Sequence, residues 1–221
     1  MPREAYHAAL KELESDVMQM AEMVIRAVKD SVQALRTRDL ARSKQLVSED
    51  VLINRKRFEI EGKALLLLAT QQPMAGDLRV LAAILNIITD LERIADHAEG
   101  IAKISLAIGS SGLVKPLEDI PRMAQIGISM LERAMKAFLE RDVETARRLG
   151  NEDDEVDALN DRVYQELIAI MIRDPQVIEG ATYLVWTAHN LERIADRVTN
   201  IAERVVFMVT GKMEEMNVSS Y

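Results

Sequence analysis

The sequence predicts an all-α fold of two tandem three-helix bundles, six long antiparallel helices related by internal duplication. Three observations predict it. The hexapeptide Leu91-Glu-Arg-Ile-Ala-Asp96 returns 100 residues later as Leu191-Glu-Arg-Ile-Ala-Asp196, and self-similarity at that scale marks a repeated structural unit. Helix-breaking glycine (9) and proline (5) are scarce among 221 residues, and aromatics are only 4%, a poor composition for sheets. Apolar residues recur every three or four positions, as in Leu10, Leu13, Val17, Met20, Val24 and Val28, or Ile84, Ile87, Leu91, Ile94, Ala98 and Ile101. That spacing gives a helix one apolar face.

Punctuation sets the boundaries. An upstream segment also repeats, at an offset of 103: Arg38-Asp39 matches Arg141-Asp142, Leu46 matches Leu149, and Glu49-Asp50 matches Glu152-Asp153. The second copy has therefore lost three residues between its two repeated segments. Asp39 and Asp142 are predicted N-caps, each accepting from an unpaired amide of the helix that follows. Pro73 and Pro175 interrupt the apolar pattern, and proline is tolerated only near a helix start or in a turn. These signals predict helices over about 4–36, 39–71 and 74–108 in the first copy, and 117–140, 142–173 and 176–211 in the second. The domains follow: a first bundle over 1–108, a Gly/Ser/Pro linker over 109–116, a second bundle over 117–212 and a tail over 213–221. Connections this short force neighbouring helices antiparallel.

Composition excludes several classes. Apolar residues at 48% and charged residues at 29% suit a globular chain. No cysteine is present, so disulfides and thiolate metal sites are excluded. No apolar run approaches the ~18 residues of a membrane span, and the charged N-terminus has no signal-peptide core. A net charge of −8 with no basic cluster argues against nucleic acid and favours cationic partners or metal ions.

Register points to a site. Glu92 and Asp96 are four apart and share a helix face, which Glu99 and Lys103 continue. Folding the preceding helix back about Pro73 levels Asn54 with Glu92, each 19 residues away, and Asp50 with Asp96, each 23 away. In the second copy, Asp157 with Glu192 and Asp153 with Asp196 are both centred between Asp174 and Pro175. Twice, then, an acidic or amide pair spaced i,i+4 opposes Glu-x-x-x-Asp. Clustered carboxylates repel unless a cation or arginine sits among them, and hard or borderline cations suit such oxygen donors. Arg57, Arg93 and Arg193 are the alternative neutralisers. Asn54 makes the first cluster the weaker cation site.

Other residues carry less. His97 lies about 100° around the helix from Asp96 and points off the acidic stripe. His189 and His7 read as surface or core-edge groups, Trp186 with Tyr183 as core or interface packing, and the methionines as core filling. Asp77-Leu78-Arg79 reads as a cap and ion pair at the third helix start. No Ser/His/Asp set, phosphate-cradling glycine loop or His-Glu-x-x-His is present. Di-iron oxidases need Glu-x-x-His on two helices, but Ala95 and Ala195 stand at those third positions. A metal-dependent enzyme and a metal-storage or scaffold protein remain the alternatives to a non-enzymatic regulator.

The tandem halves, the Asp-Leu-Arg near the third helix and the two Leu-Glu-Arg-Ile-Ala-Asp copies resemble the PhoU family of phosphate-uptake regulators. The family commonly has glycine where this chain has Ala95 and Ala195. The resemblance implies carboxylate metal sites on each bundle, with iron and zinc the usual candidates. By position these are Asp50, Asn54, Glu92 and Asp96, then Asp153, Asp157, Glu192 and Asp196. It implies a cytoplasmic negative regulator that reaches the membrane only through partners, the ATPase subunit of a phosphate ABC transporter and a phosphate-sensing histidine kinase. It implies damped uptake and repression of the phosphate-starvation response when phosphate is plentiful. Trp186, the methionines and the long helices are compatible with a homodimer.

Overall fold

The computed structural model describes residues 2–110, 112–150 and 152–216. Among them every long element is an α-helix. In chain order these are α1 (Pro2–Thr37), α2 (Leu40–Gln71), α3 (Gly76–Ile108), α4 (Asp119–Glu140), α5 (Val143–Leu149), α6 (Asp153–Arg173) and α7 (Ile178–Thr210), with a 3-10 turn over Pro175–Val177. Ser111 of the expected linker and residues 217–221 of the expected tail lie outside the described residues.

The repeated Arg-Asp makes the same corner twice. Arg38 and Arg141 adopt left-handed φ of 57° and 58°. The next amide then reaches back five residues, Asp39 to the Ala34 carbonyl at 2.9 Å and Asp142 to Ala137 at 3.0 Å, which closes the preceding helix. Asp39 Oδ1 accepts from the Arg42 amide and Asp142 Oδ1 from the Thr145 amide, at 2.9 and 3.0 Å. Both predicted N-caps are therefore real.

The copies differ after this corner. The rod expected over 142–173 is broken into α5 and α6 at 150–152. Gly150, a weak helix residue, stands where the first copy has Val47. The break serves packing, since a Cβ on Gly150 would lie 2.6 Å from Met216 Cβ. The segment after α7 passes there, held by Met216 N on Glu203 Oε1 at 2.9 Å and by Glu214 on Arg147.

Two further expectations are corrected. Asp77 does not cap the third helix: Ala75 precedes it with φ 46° and no side-chain bond, and Arg79 instead donates to the Met208 carbonyl near the end of α7 at 3.3 Å. Trp186 is not core. It is 52% exposed, edge-on to Tyr183.

α1, α2 and α3 pack together, as do α4, α5, α6 and α7; α3 then lies along α7, and α1 along α4. One continuous apolar core results. It includes Leu91, Ile94 and Ala95 of the first hexapeptide and Leu191, Ile194 and Ala195 of the second, all buried. Each such leucine or isoleucine contributes about 1.5–3 kcal/mol of burial. The small Ala95 and Ala195 leave room for close helix packing. α2 and α6 are the outer rods.

Candidate metal site on two acidic helix pairs

The hexapeptides alternate buried and open positions, so burial of Leu, Ile and Ala turns Glu92 and Asp96, or Glu192 and Asp196, toward the outer rod. In the second copy the four predicted carboxylates come together. Asp153, at the first turn of α6, is buried. Its carboxyl is pushed up to about 7 by burial first, then by the charges of Asp157, Asp196 and Glu192. Asp157 and Glu192 are also pushed above the usual range, each by burial and then by Asp196. Arg193 partly offsets this, at 2.8 Å from Asp196 and 3.3 Å from Glu192. His189 Nδ1 lies 3.4 Å from Glu192 Oε2. Burial and Arg193 hold that imidazole below its usual pKa.

The first copy is shifted and better neutralised. Asp50 is raised by burial and then by Glu99 and Asp96. Asn54 Nδ2 donates to Asp50 Oδ2 at 2.7 Å. Glu92 meets Arg57 at 3.5 Å, and Asp96 meets Arg93 at 3.0 Å. Lys103 reaches Glu99 at 2.6 Å. The charged residue opposite Glu92 is thus Arg57, one turn beyond Asn54. Glu99 is legible in the sequence as part of the acidic stripe, but the count about Pro73 pairs Asp50 with Asp96 alone.

Both faces offer oxygen donors of the kind a hard or borderline cation takes. Asp50 Oδ1 and Asn54 Oδ1 are buried with no hydrogen-bond partner, and a cation would satisfy both. The Asp50 end opens on a cleft of about 260 Å³ between α1, α2 and α3, lined by Arg42, Glu49, Glu99 and Ile53 among others. Among the described residues no group of three or more His, Asp or Glu side chains is already set to hold a metal ion, so the carboxylates would have to swing inward to ligate one.

The two sites are joined through the crossing of α3 and α7. His97 Nδ1 is 2.9 Å from Asn190 Oδ1, and the duplicate pair, Arg197 and Asp90, lies at 3.6 Å. A Cβ on Gly100 would meet Asn190 Oδ1 at 3.2 Å. His97 therefore faces the opposite bundle, off the acidic stripe as its helical phase requires. No helix among the described residues is long and apolar enough to cross a membrane.

Comparison with known proteins matches this architecture. The PhoU domain family model matches twice, over residues 17–105 and 120–205, one match on each bundle. The chain is 34% identical over 208 residues to the phosphate-specific transport system accessory protein PhoU homolog of Rhizobium meliloti, covering 94% of this chain and 88% of that protein. It is 33% identical to the homolog of Clostridium acetobutylicum, covering 98% and 100%. The crystal structure of PhoU from Pseudomonas aeruginosa superposes with a TM-score of 0.89 at 30% identity, covering 94% of this chain and all of that one. The phosphate transport system regulatory protein PhoU from Streptococcus pneumoniae gives 0.88 at 29%, covering 95% and 99%. With both bundles matched and nearly the full length aligned, the chain belongs to the PhoU family.

Proposed function

We propose that this protein is a negative regulator of phosphate uptake and of the phosphate-starvation response, working by contact rather than turnover. The observation that carries the reading is the duplicated acidic helix pair within a PhoU fold, on relatives named as phosphate transport accessory and regulatory proteins. Its partners are the ATPase subunit of a phosphate ABC transporter and a phosphate-sensing histidine kinase. It acts in the cytoplasm as a homodimer, and membranes enter only through those partners.

The acidic faces are metal sites; their oxygen donors suit hard or borderline cations, and the family resemblance makes iron or zinc the candidates. Asp153, Asp157, Glu192 and Asp196 would hold the ion in the second bundle, and Asp50, Asn54, Glu92 and Asp96 in the first. A bound cation supplies positive charge that relieves carboxylate repulsion and fixes the spacing of α6 to α7 and of α2 to α3. Arg193 bridges Glu192 and Asp196, Arg57 pairs with Glu92 and Arg93 with Asp96, and these guanidinium groups would have to give way for an ion to bind.

The test is affinity capture of the transporter ATPase by the full chain, with and without phosphate and with each metal. Capture that strengthens with phosphate, and weakens in Asp153→Ala/Asp196→Ala, is expected. No capture under any condition overturns the reading, and metal-dependent turnover lost in the same variant would replace it with an enzyme.

A further inference from the structure

The duplication supplies its own control for the ends of the two acidic faces. The inner helices α3 and α7 both stop on a glycine at left-handed φ, Gly109 at 64° and Gly211 at 75°. From Gly109 the chain leaves its own bundle: Val114 of the linker lies 2.9 Å from where a Cβ on Gly180 would sit, at the start of α7. From Gly211 the chain folds back onto its own bundle. Glu214 reaches Arg147 of α5 at 2.9 Å. The Met216 amide donates to Glu203 of α7 at 2.9 Å, and the Met216 side chain packs on the core beside Gly150. Gly150 is three residues before Asp153, and Glu203 is seven after Asp196, two turns further along the same stripe. The segment 211–216 therefore crosses from α7 to the α5–α6 corner just beyond the second acidic face. At the first face, where the chain takes the other route, Asp50 and Glu99 are half-buried and line the open cleft between α1, α2 and α3. Their counterparts in the second copy, Asp153 and Thr199, are 0% and 1% exposed.

We infer that residues 211–216 are a strap across the end of the second acidic face, hinged at Gly211, which must lift for a cation to enter or leave between α6 and α7. The first bundle sets the hinge. Arg79 of α3 donates to the Met208 carbonyl at 3.3 Å, and its guanidinium lies 3.7 Å from where a Cβ on Gly211 would sit. The Asp-Leu-Arg at the start of α3 thus holds the base of the strap, while the second bundle carries its latch. That latch is light. It consists of one ion pair open to solvent, with the Arg147 side chain 44% exposed, one amide bond to Glu203 and one apolar side chain. A segment held by so few contacts opens far more readily than the helices beneath it. Closure also spends Glu203 on the Met216 amide, so lifting returns a carboxylate to the acidic stripe. A cover that adds no ligand of its own favours neither the empty nor the filled face. It changes how fast an ion exchanges, not how tightly the ion is held. The first face, open on its cleft, exchanges directly with solvent.

The strap rests on the metal reading proposed above, and the experiment separates the two. Zinc alone is the probe, and its release to a chromophoric chelator is followed by stopped flow on the full chain. Asp50→Ala/Asp96→Ala isolates the second face, and Asp153→Ala/Asp196→Ala isolates the first. At the second face, Glu214→Arg/Met216→Gly should release zinc about tenfold faster at a nearly unchanged dissociation constant, with amide exchange over 213–216 raised alongside. Arg147→Glu/Glu214→Arg, which restores the ion pair in reverse, should restore slow release. Release from the first face should be indifferent to all of these. A loosened segment with unchanged zinc release would overturn the strap and keep the metal face. A segment still protected in Glu214→Arg/Met216→Gly would overturn the latch. A wild-type chain that takes no zinc at the second face would overturn the metal reading and the strap together.

Discussion

The two acidic faces descend from one ancestral helix pair, yet they are neutralised differently. In the first, Glu92 has Arg57, Glu99 has Lys103, and Asn54 donates to Asp50. In the second, Asn160 stands at the position of Arg57, Glu203 at that of Lys103 and Asp157 at that of Asn54. Each exchange removes a donor or cation, and the result is a buried Asp153 whose carboxyl is pushed up to about 7. Repulsion unrelieved by protein cations is what a metal ion relieves best. If the acidic faces bind metal as proposed, the second face should be the tighter site. The largest effect follows: Asp153→Ala/Asp196→Ala should lower affinity for iron or zinc at the second face at least 100-fold by isothermal titration, while Asp50→Ala/Asp96→Ala costs less. Equal losses from the two double variants would erase the distinction.

The next test converts one face toward the other. Asn54→Asp gives the first face its missing carboxylate and removes the amide that bonds Asp50. Metal affinity there should rise about tenfold, and the metal-free protein should lose about 1 kcal/mol from the new like-charge contact and the lost hydrogen bond. Paired calorimetry and thermal melts read both. A rise in affinity without the loss in metal-free stability would mean that Asp50 and the introduced carboxylate do not share one space.

Acidity should act on the two bundles with opposite sign. Asp153 holds its proton more tightly folded than unfolded, since its carboxyl rises to about 7. Its destabilisation is full above pH 7 and fades as pH falls toward the unfolded value of about 3.9. In the first bundle, burial raises Asp16, but hydrogen bonds and charges from Lys56 and Lys63, both at 2.7 Å, outweigh it and hold it below the usual range. Its stabilisation is present above pH 4 and lost as pH falls through the lowered value. Metal-free wild type should thus melt higher at pH 5.5 than at pH 8, by about 5 °C. Asp153→Asn should flatten that rise. Asp16→Asn should cost about 2 kcal/mol at neutral pH and leave the rise intact.

The fold is legible because its signals are local and doubled. The repeated Arg-Asp fixes both corners, and the repeated hexapeptide fixes which face of α3 and of α7 is buried. What is not legible comes from contacts distant in sequence. Arg79 stands at a helix start, where a local ion pair is the natural expectation, but its partner is the Met208 carbonyl, brought near only when α3 lies along α7. Trp186 is large and apolar, which predicts burial, yet it stands 52% exposed beside Tyr183. Of the site, the eight candidate positions can be counted out. That Glu92 meets Arg57 cannot, because a count of residues about Pro73 carries no side-chain reach or ion pairing.

The smallest effect tests why the second outer rod is broken and the first is not. Gly150 has helical φ and ψ of −61° and −23°, so the backbone itself does not demand glycine. Alanine there would favour a helix by about 1 kcal/mol, and the first copy, with Val47 at this position, runs through unbroken. What forbids a side chain is Met216, 2.6 Å from where the Cβ would sit. Gly150→Ala should therefore leave the melting temperature nearly unchanged while it displaces the 211–216 segment, releasing Glu214 from Arg147 and the Met216 amide from Glu203. Limited proteolysis after α7 should become faster, and amide exchange at Met216 should rise at least tenfold. Unchanged protection at Met216 would show that the segment is held by those polar contacts alone and that the break in the rod has another cause.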